Sequence, residues 1–377
     1  RPWTLSRRVA DALYFLSRQF MLLQQRGVQD SIRPEWEVGL RRQFEAILGI
    51  WQRYGSFGQY LHLHTGEIMI GGTTSAALMP AALVLAGHYL DDPRGLETAQ
   101  AVAESFRTGD LAAGVTCGGP GDCVQAPDSE SVCALVESFI LLHEATGETK
   151  WLEAACQAVY QAASWAVPYD YVFPEGSALA QIGVQTRGTL MANAQNKHGA
   201  PGICTLSGEG FLRTYRASGD ERILNLIQEI SHNIPQYISR SDKPIPTRLN
   251  WGREGLTAQP EGWICERINL TDWGEPIGEQ SAYSCWCEAT MMLTWNDLPG
   301  VYWDRDTNTA TALDHVRVEA HADGDRKFLR VINPTRFDAE VKILAETSAE
   351  RAIPLPPNAG AIYPRIKIPA GDAYDWY

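Results

Sequence analysis

Three features that would point to a membrane, a nucleic acid or a disulfide scaffold are scarce in this sequence. No apolar run approaches the roughly 20 residues that a membrane-spanning helix needs. Positive charge is in deficit, because 32 Lys and Arg stand against 45 Asp and Glu and leave a net charge of −13. Polyanions would be repelled, so we expect no nucleic acid and no membrane surface as partner.

Neither the cysteines nor the first residues decide the cellular compartment. Eight cysteines in 377 residues are too few for a disulfide framework. Cys117 and Cys123 flank a Gly-Gly-Pro-Gly loop, which is open to two readings, a small disulfide or two free thiols. The chain opens Arg1-Pro2-Trp3 without a Met, which we interpret as processing or truncation. The compartment stays open between the cytoplasm and the periplasm or exterior.

Helical hairpins repeat along the first three quarters of the chain. Residues 77–106, 131–160 and 203–232 each contain an apolar-periodic helix, a short turn and a second apolar-periodic helix. Repeated helix pairs predict a toroid or solenoid. Further helices are predicted at about 5–26, 35–53 and 278–294. Each long connection precedes the first helix of a hairpin, so we expect these loops on one rim, where functional residues usually lie.

The pattern changes to short strand-like runs after about residue 299. These runs are separated by Asp-Gly, Asn-Pro and Pro-Pro turn signals, and residues 322–325 read as a hairpin turn. The predicted fold is therefore mostly α. An (α/α)6-type toroid forms a catalytic domain at 1–298, and a small antiparallel β-sandwich follows at 299–377.

Carboxylates stand where long loops enter predicted helices. Asp128 and Glu130 are open to two readings, helix capping and catalysis. Asp272, Glu275 and Glu279 precede the last inner helix, where acids are also ordinary helix starters. Glycoside hydrolysis needs one protonated carboxyl and a second that attacks or activates water. We therefore predict catalytic roles for Asp128, Glu130, Glu275 and Glu279, and substrate binding by Asp272.

A second polar group lies in the loop before the third hairpin. Asn193, Asn196, Lys197 and His198 are flanked by Gly and Pro, a setting that is typical of a surface loop. We predict that the first three bind substrate and that His198 is catalytic or contacts the ligand.

Six of the twelve tryptophans lie between residues 251 and 303. Aromatic rings offer a flat apolar face to sugar C–H groups, although the same rings would also attach the loop to the β-domain. Both readings are open. Substrate binding is predicted for Trp263, Trp273, Tyr283 and Trp286.

A cysteine pair near the last helix suggests a metal. Cys285-Trp286-Cys287-Glu288 follows Cys204 at a distance of about 80 residues, and thiolates and a carboxylate are ligands that zinc accepts. The predicted ligands are Cys204, Cys285, Cys287 and Glu288. No cofactor other than zinc is suggested.

The helical hairpins, the C-terminal β-domain and the tryptophan-rich loops together resemble the six-hairpin glycosidase and polysaccharide lyase superfamily. A more distant resemblance is to bacterial β-L-arabinofuranosidases, whose (α/α)6 barrel carries a zinc-bound cysteine nucleophile. That resemblance implies that Cys204 is a zinc ligand and that Cys287 is both ligand and nucleophile. Glu288 stands where a further cysteine ligand is expected, and Gly202 stands in place of a glutamate ligand.

The leading hypothesis is a glycoside hydrolase that cleaves glycan-derived oligosaccharides, L-arabinofuranosides among them. The first alternative is a polysaccharide lyase, with His198 or Tyr283 as base and Asn196 or Arg187 as neutraliser of a uronate carboxyl. The second alternative is a non-catalytic glycan-binding protein. The oligomeric state is not indicated.

Overall fold

A computed structural model describes residues 2–246, 257–272, 274–281, 285–324 and 326–377, without the side chains of Ser281 and Cys285. The chain is largely helical and carries several small sheets. Its contacts divide it into two compact units. Unit 1 comprises residues 1–165 and 192–196, and unit 2 comprises residues 166–191 and 197–377. The domain boundary expected at 298/299 lies inside unit 2 and stays a prediction.

Unit 1 is built from helices and one small sheet. Its elements in chain order are β1 Trp3–Leu5, α1 Ser6–Gln25, α2 Pro34–Tyr54, β2 Tyr60–His62, β3 Ile68–Ile70, α3 Met79–Leu90, α4 Arg94–Phe106, α5 Ser129–Thr146 and α6 Thr149–Ala163. Two of the predicted hairpins are confirmed as α3–α4 and α5–α6. Gly147 ends α5 with a φ of 70°, the left-handed conformation that a glycine adopts without strain.

Unit 2 contains the remaining helices and most of the strands. Its elements are α7 Ala178–Gln181, β4 Leu190–Met191, β5 Gly199–Ala200, α8 Glu209–Ser218, α9 Glu221–Asn233, β6 Arg267–Ile268, β7 Gln280–Ser281, α10 Cys285–Asp297, β8 Val301–Asp304, β9 Thr309–Ala312, β10 Arg317–Asp323, β11 Arg326–Ile332, β12 Ala339–Glu346, α11 Ser348–Arg351, β13 Arg365–Ile368 and β14 Ala373–Trp376. The third predicted hairpin is confirmed as α8–α9.

Two predicted helices of unit 2 begin later than expected. The helix predicted from about residue 203 begins at Glu209, because Gly202, Thr205 and Gly208 all have positive φ angles that interrupt a helix. The helix predicted from about residue 278 begins at Cys285, because residues 280 and 281 form β7 instead.

The C-terminal strands form two sheets around one apolar core. Their orders are β10-β11-β14 and β13-β12-β8-β9. The core contains Val301, Trp303, Leu329, Val331 and Val341, all nearly inaccessible to solvent. The expectation of a purely antiparallel arrangement was wrong in one pair, because β8 and β12 run parallel, with Val301 opposite Ile343. The two strands are far apart in sequence, so no hairpin constrains their direction.

The predicted hairpin after β10 is present, with Asp323 paired to Arg326 across the turn, while Asp325 lies outside the described residues. Within the described part of the chain, no helix is both long and apolar enough to cross a membrane.

Candidate functional site

Asp128 caps helix α5 and is completely buried. Its Oδ1 accepts a hydrogen bond from the Ser131 backbone N–H at 2.6 Å, and its Oδ2 accepts from the Gly119 N–H at 3.0 Å and from Ser131 Oγ at 3.1 Å. Burial raises the pKa of this carboxyl, while the three hydrogen bonds act in the opposite direction. The capping interpretation of Asp128 is thus present in the structure, and its catalytic role stays a prediction.

Glu130 lies half-buried in the first turn of α5. At Gly119, the loop that precedes α5 packs closely against the first turn of that helix. A Cβ on Gly119 would lie 2.7 Å from Asp128 Oδ1 and 2.9 Å from Glu130 Cβ, closer than real Cβ contacts. Only glycine fits at this position, so the loop, the cap and the first turn of α5 hold one another in place.

The structure brings the two predicted asparagines to the same corner of unit 1. Asn193 pairs with Asp128 through an antiparallel backbone bridge, and its Oδ1 accepts from the Asn196 N–H at 2.7 Å. Asn196 Nδ2 donates to Asp122 Oδ2 at 3.0 Å. Both asparagines are buried and Asp122 is exposed, so this amide chain leads from the cap of α5 to the surface.

Asp110, which the sequence analysis did not single out, belongs to the same corner. It lies in a π-helical turn, Arg107–Leu111, that continues α4. Burial raises the pKa of Asp110, and a hydrogen bond from the Thr74 side chain partly offsets this. Burial is the largest cause that raises the pKa of Cys117, and the negative charges of Asp128 and Asp110 raise it further. Because a π-turn inside a helix leaves no trace in hydrophobic periodicity, only the structure reveals this acid.

In unit 2, four short strands assemble the predicted polar residues around one small sheet. The sheet order is β4-β5-β6-β7, and Ile268 lies opposite both Gly199 and Gln280. His198 precedes β5 and is buried, with Nδ1 2.9 Å from the Gly199 carbonyl oxygen. If the ring is neutral, a proton on Nδ1 donates to that carbonyl and makes Nε2 the basic nitrogen. Lys197 has a φ of 52°, and its backbone carbonyl oxygen accepts a hydrogen bond from the Thr271 side-chain hydroxyl at 3.0 Å.

The loop between β6 and β7 carries the predicted acids of unit 2. Glu279 is buried, and its Oε1 accepts a hydrogen bond from the Ala178 N–H at 3.3 Å, at the start of α7. Its backbone is held by Asn269, whose N–H donates to Glu279 O at 3.2 Å. Glu275 is half-buried and Asp272 is exposed on the same loop. Glu279 is therefore the acid that the fold positions most firmly here.

Gln280 adds an unusual feature beside Glu279. Gln280 is only 7% exposed, yet neither its amide oxygen nor its amide nitrogen has a hydrogen-bond partner in the described residues. A buried amide without partners is costly, and such groups are rare in folded proteins. Positions of this kind are satisfied when a polar ligand or ordered water binds.

An aromatic ladder, defined as Tyr169, Tyr171 and Phe173, leads toward Glu279. The ring centroids of Tyr169 and Tyr171 are 5.1 Å apart at 19°, and those of Tyr171 and Phe173 are 6.0 Å apart at 20°. Tyr169 is 57% exposed, whereas Phe173 is buried. A Cβ on Gly278 would lie 3.2 Å from Phe173 Cδ1. The inner end of the ladder therefore packs against the residue that precedes Glu279. These three residues were not among the predicted substrate contacts, although their spacing at every second position is visible in the sequence.

The other predicted contacts of unit 2 are more scattered. Trp263 is half-buried, and Trp286 is 40% exposed on α10. Arg187 is exposed, with Nε 3.4 Å from Glu229 Oε1. Trp273 and Tyr283 lie outside the described residues. The binding roles of these residues and the lyase roles of Arg187 and Tyr283 stay predictions.

Cys117 and Cys123 are free thiols and form no disulfide with each other. Cys287 is buried, and its Sγ donates to the Glu266 carbonyl oxygen at 3.7 Å. Cys204 is half-buried and Glu288 is exposed. Among the described side chains, no three of His, Cys, Asp or Glu lie close enough to hold a metal ion. Cys204, Cys287 and Glu288 alone do not form the predicted zinc site, and the zinc prediction now depends on Cys285, whose side chain is not described.

Comparison with known proteins gives a likeness of fold. No protein-family model matches the chain, and no curated protein matches it by sequence. The structure of a D-mannose isomerase is similar with a TM-score of 0.50 and 10% identity, over 77% of this chain and 70% of that one. A cellobiose 2-epimerase from Bacillus thermoamylovorans gives a TM-score of 0.47 and 11% identity, over 78% and 71% of the two chains. A sugar epimerase from a ruminal bacterium gives 0.39 and 15%, over 78% and 87%.

The mannose isomerase has an (α/α)6 toroid fold. At 10% identity the likeness concerns the fold alone. The predicted resemblance to β-L-arabinofuranosidases finds no support among these structures.

Proposed function

We propose that this chain is an enzyme that acts on carbohydrates and, within that class, a glycoside hydrolase with Glu279 as its general acid. The observation that carries the proposal is the packing of the aromatic ladder against Gly278, directly before a buried and hydrogen-bonded glutamate. The predicted (α/α)6 toroid belongs to the same proposal. It is supported by the three helical hairpins and by the likeness to the mannose isomerase fold.

The ladder supplies a surface that suits a sugar chain. Stacked rings about 5–6 Å apart present their faces and edges in a row, and the apolar C–H faces of sugars pack on aromatic rings. The outer ring, Tyr169, is exposed and therefore accessible to a substrate. A substrate that enters along the ladder reaches Phe173 and then the loop of Glu279.

The groups at the inner end have the chemistry that glycoside cleavage requires. A carboxylic acid must protonate the leaving oxygen while a second group delivers water or attacks the anomeric carbon. Glu279 is assigned the first role because its carboxyl is shielded from water and fixed by the Ala178 N–H. Glu275 on the same loop is the candidate for the second role. The amide of Gln280, which has no partner among the described residues, would bind a sugar hydroxyl, which both donates and accepts.

The proposal is tested with a panel of aryl glycosides, methyl glycosides and oligosaccharides that includes α- and β-L-arabinofuranosides. Glu279→Gln keeps the size of the side chain but removes its acid proton. We expect hydrolysis of the methyl glycosides and oligosaccharides, whose leaving oxygen needs that proton, to fall sharply, and hydrolysis of the aryl glycosides to fall less. Glu261→Gln, an exposed glutamate of the same unit, is the matched control and should retain activity. Sugar binding without turnover of any substrate would contradict the hydrolase and favour the non-catalytic glycan-binding alternative.

A second candidate activity, aldose–ketose isomerisation or epimerisation, is favoured by one observation. His198 is buried with its Nδ1 2.9 Å from the Gly199 carbonyl oxygen. In a neutral ring with the proton on Nδ1, Nε2 is the basic nitrogen, and a histidine base abstracts a proton next to a sugar carbonyl in such reactions. The mannose isomerase that shares the fold is named for this kind of reaction. Free D-mannose in D2O distinguishes the two: incorporation of deuterium at C2 that His198→Gln abolishes would support the isomerase.

A further inference from the structure

A cavity of about 260 Å³ lies in unit 2, where helices α9 and α10 meet strand β12. None of the residues discussed for the Glu279 loop contributes to it. Its lining is formed by Ser231, Thr294, Trp295, Leu298, Pro299, Gly300, Leu313, Asp314, Glu340 and Lys342. The volume lies just below the range of small-molecule sites, so it suits a ligand smaller than a drug.

Two deeply buried polar side chains line this cavity with unused hydrogen-bonding capacity. Ser231 is 7% exposed, and its Oγ has no hydrogen-bond partner in the described residues. Lys342 is 9% exposed, and its Nζ donates to the Asn296 carbonyl oxygen at 2.6 Å. An ammonium carries three N–H donors, so this one bond leaves two of them for a ligand. A buried hydroxyl without a partner is costly, and the Lys342 ammonium has further donors to offer, which together point to a polar occupant.

The lining also contains apolar residues. Trp295 is 43% exposed, and Leu298, Pro299 and Leu313 belong to the same lining. An indole face beside hydroxyl and amine donors matches a ligand that has one C–H face and several hydroxyls.

The charges of the lining balance, which argues for a neutral ligand. Glu340 Oε1 accepts from Arg365 Nη1 at 2.8 Å, so this carboxylate already has a cation. Asp314 and Lys342 remain and have opposite charges, and Asp297, outside the lining, also places a negative charge near Lys342. Asp314 Oδ1 accepts from the His315 N–H at 2.6 Å. An anionic ligand would be repelled by these carboxylates and a cationic one by the Lys342 ammonium, whereas hydroxyls pair with both.

We propose that this cavity binds a single neutral sugar unit as an accessory site, separate from the Glu279 loop. The indole of Trp295 packs on the sugar ring, Ser231 Oγ and Lys342 Nζ bind hydroxyls, and Asp314 accepts from a further hydroxyl. The inference does not depend on the proposed hydrolase, since a lyase or a binding protein would carry the same cavity.

The direct test uses the full chain labelled with 5-fluorotryptophan, with the Trp295 resonance assigned from Trp295→Phe. D-Mannose and L-arabinose are titrated separately. We expect at least one to shift the Trp295 resonance saturably in the wild type and also in Tyr169→Ala, which weakens the proposed catalytic site. No shift with either sugar, or a larger effect from D-glucuronate than from the neutral sugars, would overturn the proposal.

Variants then separate this site from the catalytic one. Trp295→Ala should weaken sugar binding at the cavity at least tenfold and leave aryl-glycoside turnover unchanged. Trp36→Ala is the matched control, because this tryptophan is 44% exposed on α2 in unit 1. Lys342→Met should also weaken binding, and if that variant fails to fold, the fluorine titration of the wild type still decides. Loss of turnover in Glu279→Gln with sugar binding retained at the Trp295 cavity would show that the cavity binds sugar independently of the proposed catalytic site.

Discussion

Glu279 Oε1 accepts a hydrogen bond from the backbone N–H of Ala178, a residue that precedes it by 101 positions. The bond connects the β6–β7 loop to the first residue of a four-residue helix that Ser177 caps through its side chain. A carboxyl held in this way has one orientation, which general acid catalysis requires. The same helix follows the aromatic ladder in the chain, so binding and chemistry are proposed to share one short segment.

The aromatic ladder predicts a defect in binding rather than in chemistry. Tyr169→Ala removes an exposed ring that packs on Tyr171 but not on Glu279, so KM should rise about tenfold, as expected when roughly 1.4 kcal/mol of binding is lost, with kcat nearly unchanged. Steady-state kinetics on a tri- or tetrasaccharide measures this. Tyr54→Ala, which removes a tyrosine that is 39% exposed in unit 1, is the control. A fall in kcat with constant KM would contradict the binding role.

Asp128→Asn is expected to destabilise the chain by about 1–2 kcal/mol, because the amide nitrogen of Asn would face the Gly119 N–H or the Ser131 donors and leave them without an acceptor. The measurement is urea unfolding at several pH values. Burial raises the folded-state pKa of Asp128, so the folded chain holds this proton more tightly than the unfolded chain. The contribution of Asp128 to the free energy of unfolding of the wild type therefore decreases as the pH rises above about 4, the ordinary pKa of an aspartate.

Asn does not titrate, so the deficit of the variant should shrink as pH rises from about 4 toward 7. Asp220→Asn is the matched control, since Asp220 caps α9 through the Arg222 N–H and is nearer the surface; a smaller loss is expected there. A deficit of the Asp128 variant that grows with pH would contradict the burial argument.

A buried ion pair joins α8 to β12. Arg216 Nε and Nη2 lie 3.0 and 2.8 Å from the carboxylate of Glu346, and both side chains are at most 5% exposed. Breaking such a pair leaves one buried charge uncompensated, which costs about 3–5 kcal/mol. Glu346→Gln should lower the free energy of unfolding by that amount. Arg365→Gln, which breaks an exposed pair with Glu340, should cost less than about 1 kcal/mol. Equal losses in the two variants would contradict this account.

Because Lys342 is buried, we expect the free energy of unfolding to rise in mildly alkaline solution. Burial lowers the pKa of its amine from 10.5 to about 8. Between these values the unfolded chain holds a proton that the folded chain has released, so the free energy of unfolding increases with pH from about 8 to 10.5. Thermal or urea unfolding across this range in wild type and Lys342→Met measures the difference. The contribution should vanish in Lys342→Met and persist in Lys327→Met, whose lysine is exposed.

The parts of the fold that repeat locally were predictable, and the parts that depend on distant pairing were not. The hairpins α3–α4, α5–α6 and α8–α9 follow from apolar residues at helical spacing and from the short turns between the helices. The second helix of each hairpin buries one stripe, whereas the first is buried on nearly all sides. The four strands β4 to β7 have two residues each, too few for a periodic signal, and paired residues lie up to 69 positions apart, as Gly199 and Ile268 do. The parallel pairing of β8 with β12 has the same cause.

The candidate site was predictable in its residue types more than in its organisation. Loop position and polarity led to Asp128, Asn193, Asn196 and Glu279, and the structure provides each with specific partners. Asp110 was missed because the burial of one acid in a helix is a tertiary property. The cavity at Lys342 was missed because alternation along β12 predicts a strand but not the space beside it.

The central claim is that Glu279 supplies the acid proton for glycoside cleavage. The most direct measurement is kcat/KM for hydrolysis of an oligosaccharide or methyl glycoside, whose leaving alkoxide needs a proton, by the wild type, by Glu279→Gln and by the Glu261→Gln control. The free energy of unfolding is measured on the same samples. General acids contribute about 10²–10⁴-fold, so kcat/KM should fall by at least about 100-fold in Glu279→Gln. The stability of that variant should change by less than about 2 kcal/mol. Full activity in folded Glu279→Gln would contradict the account.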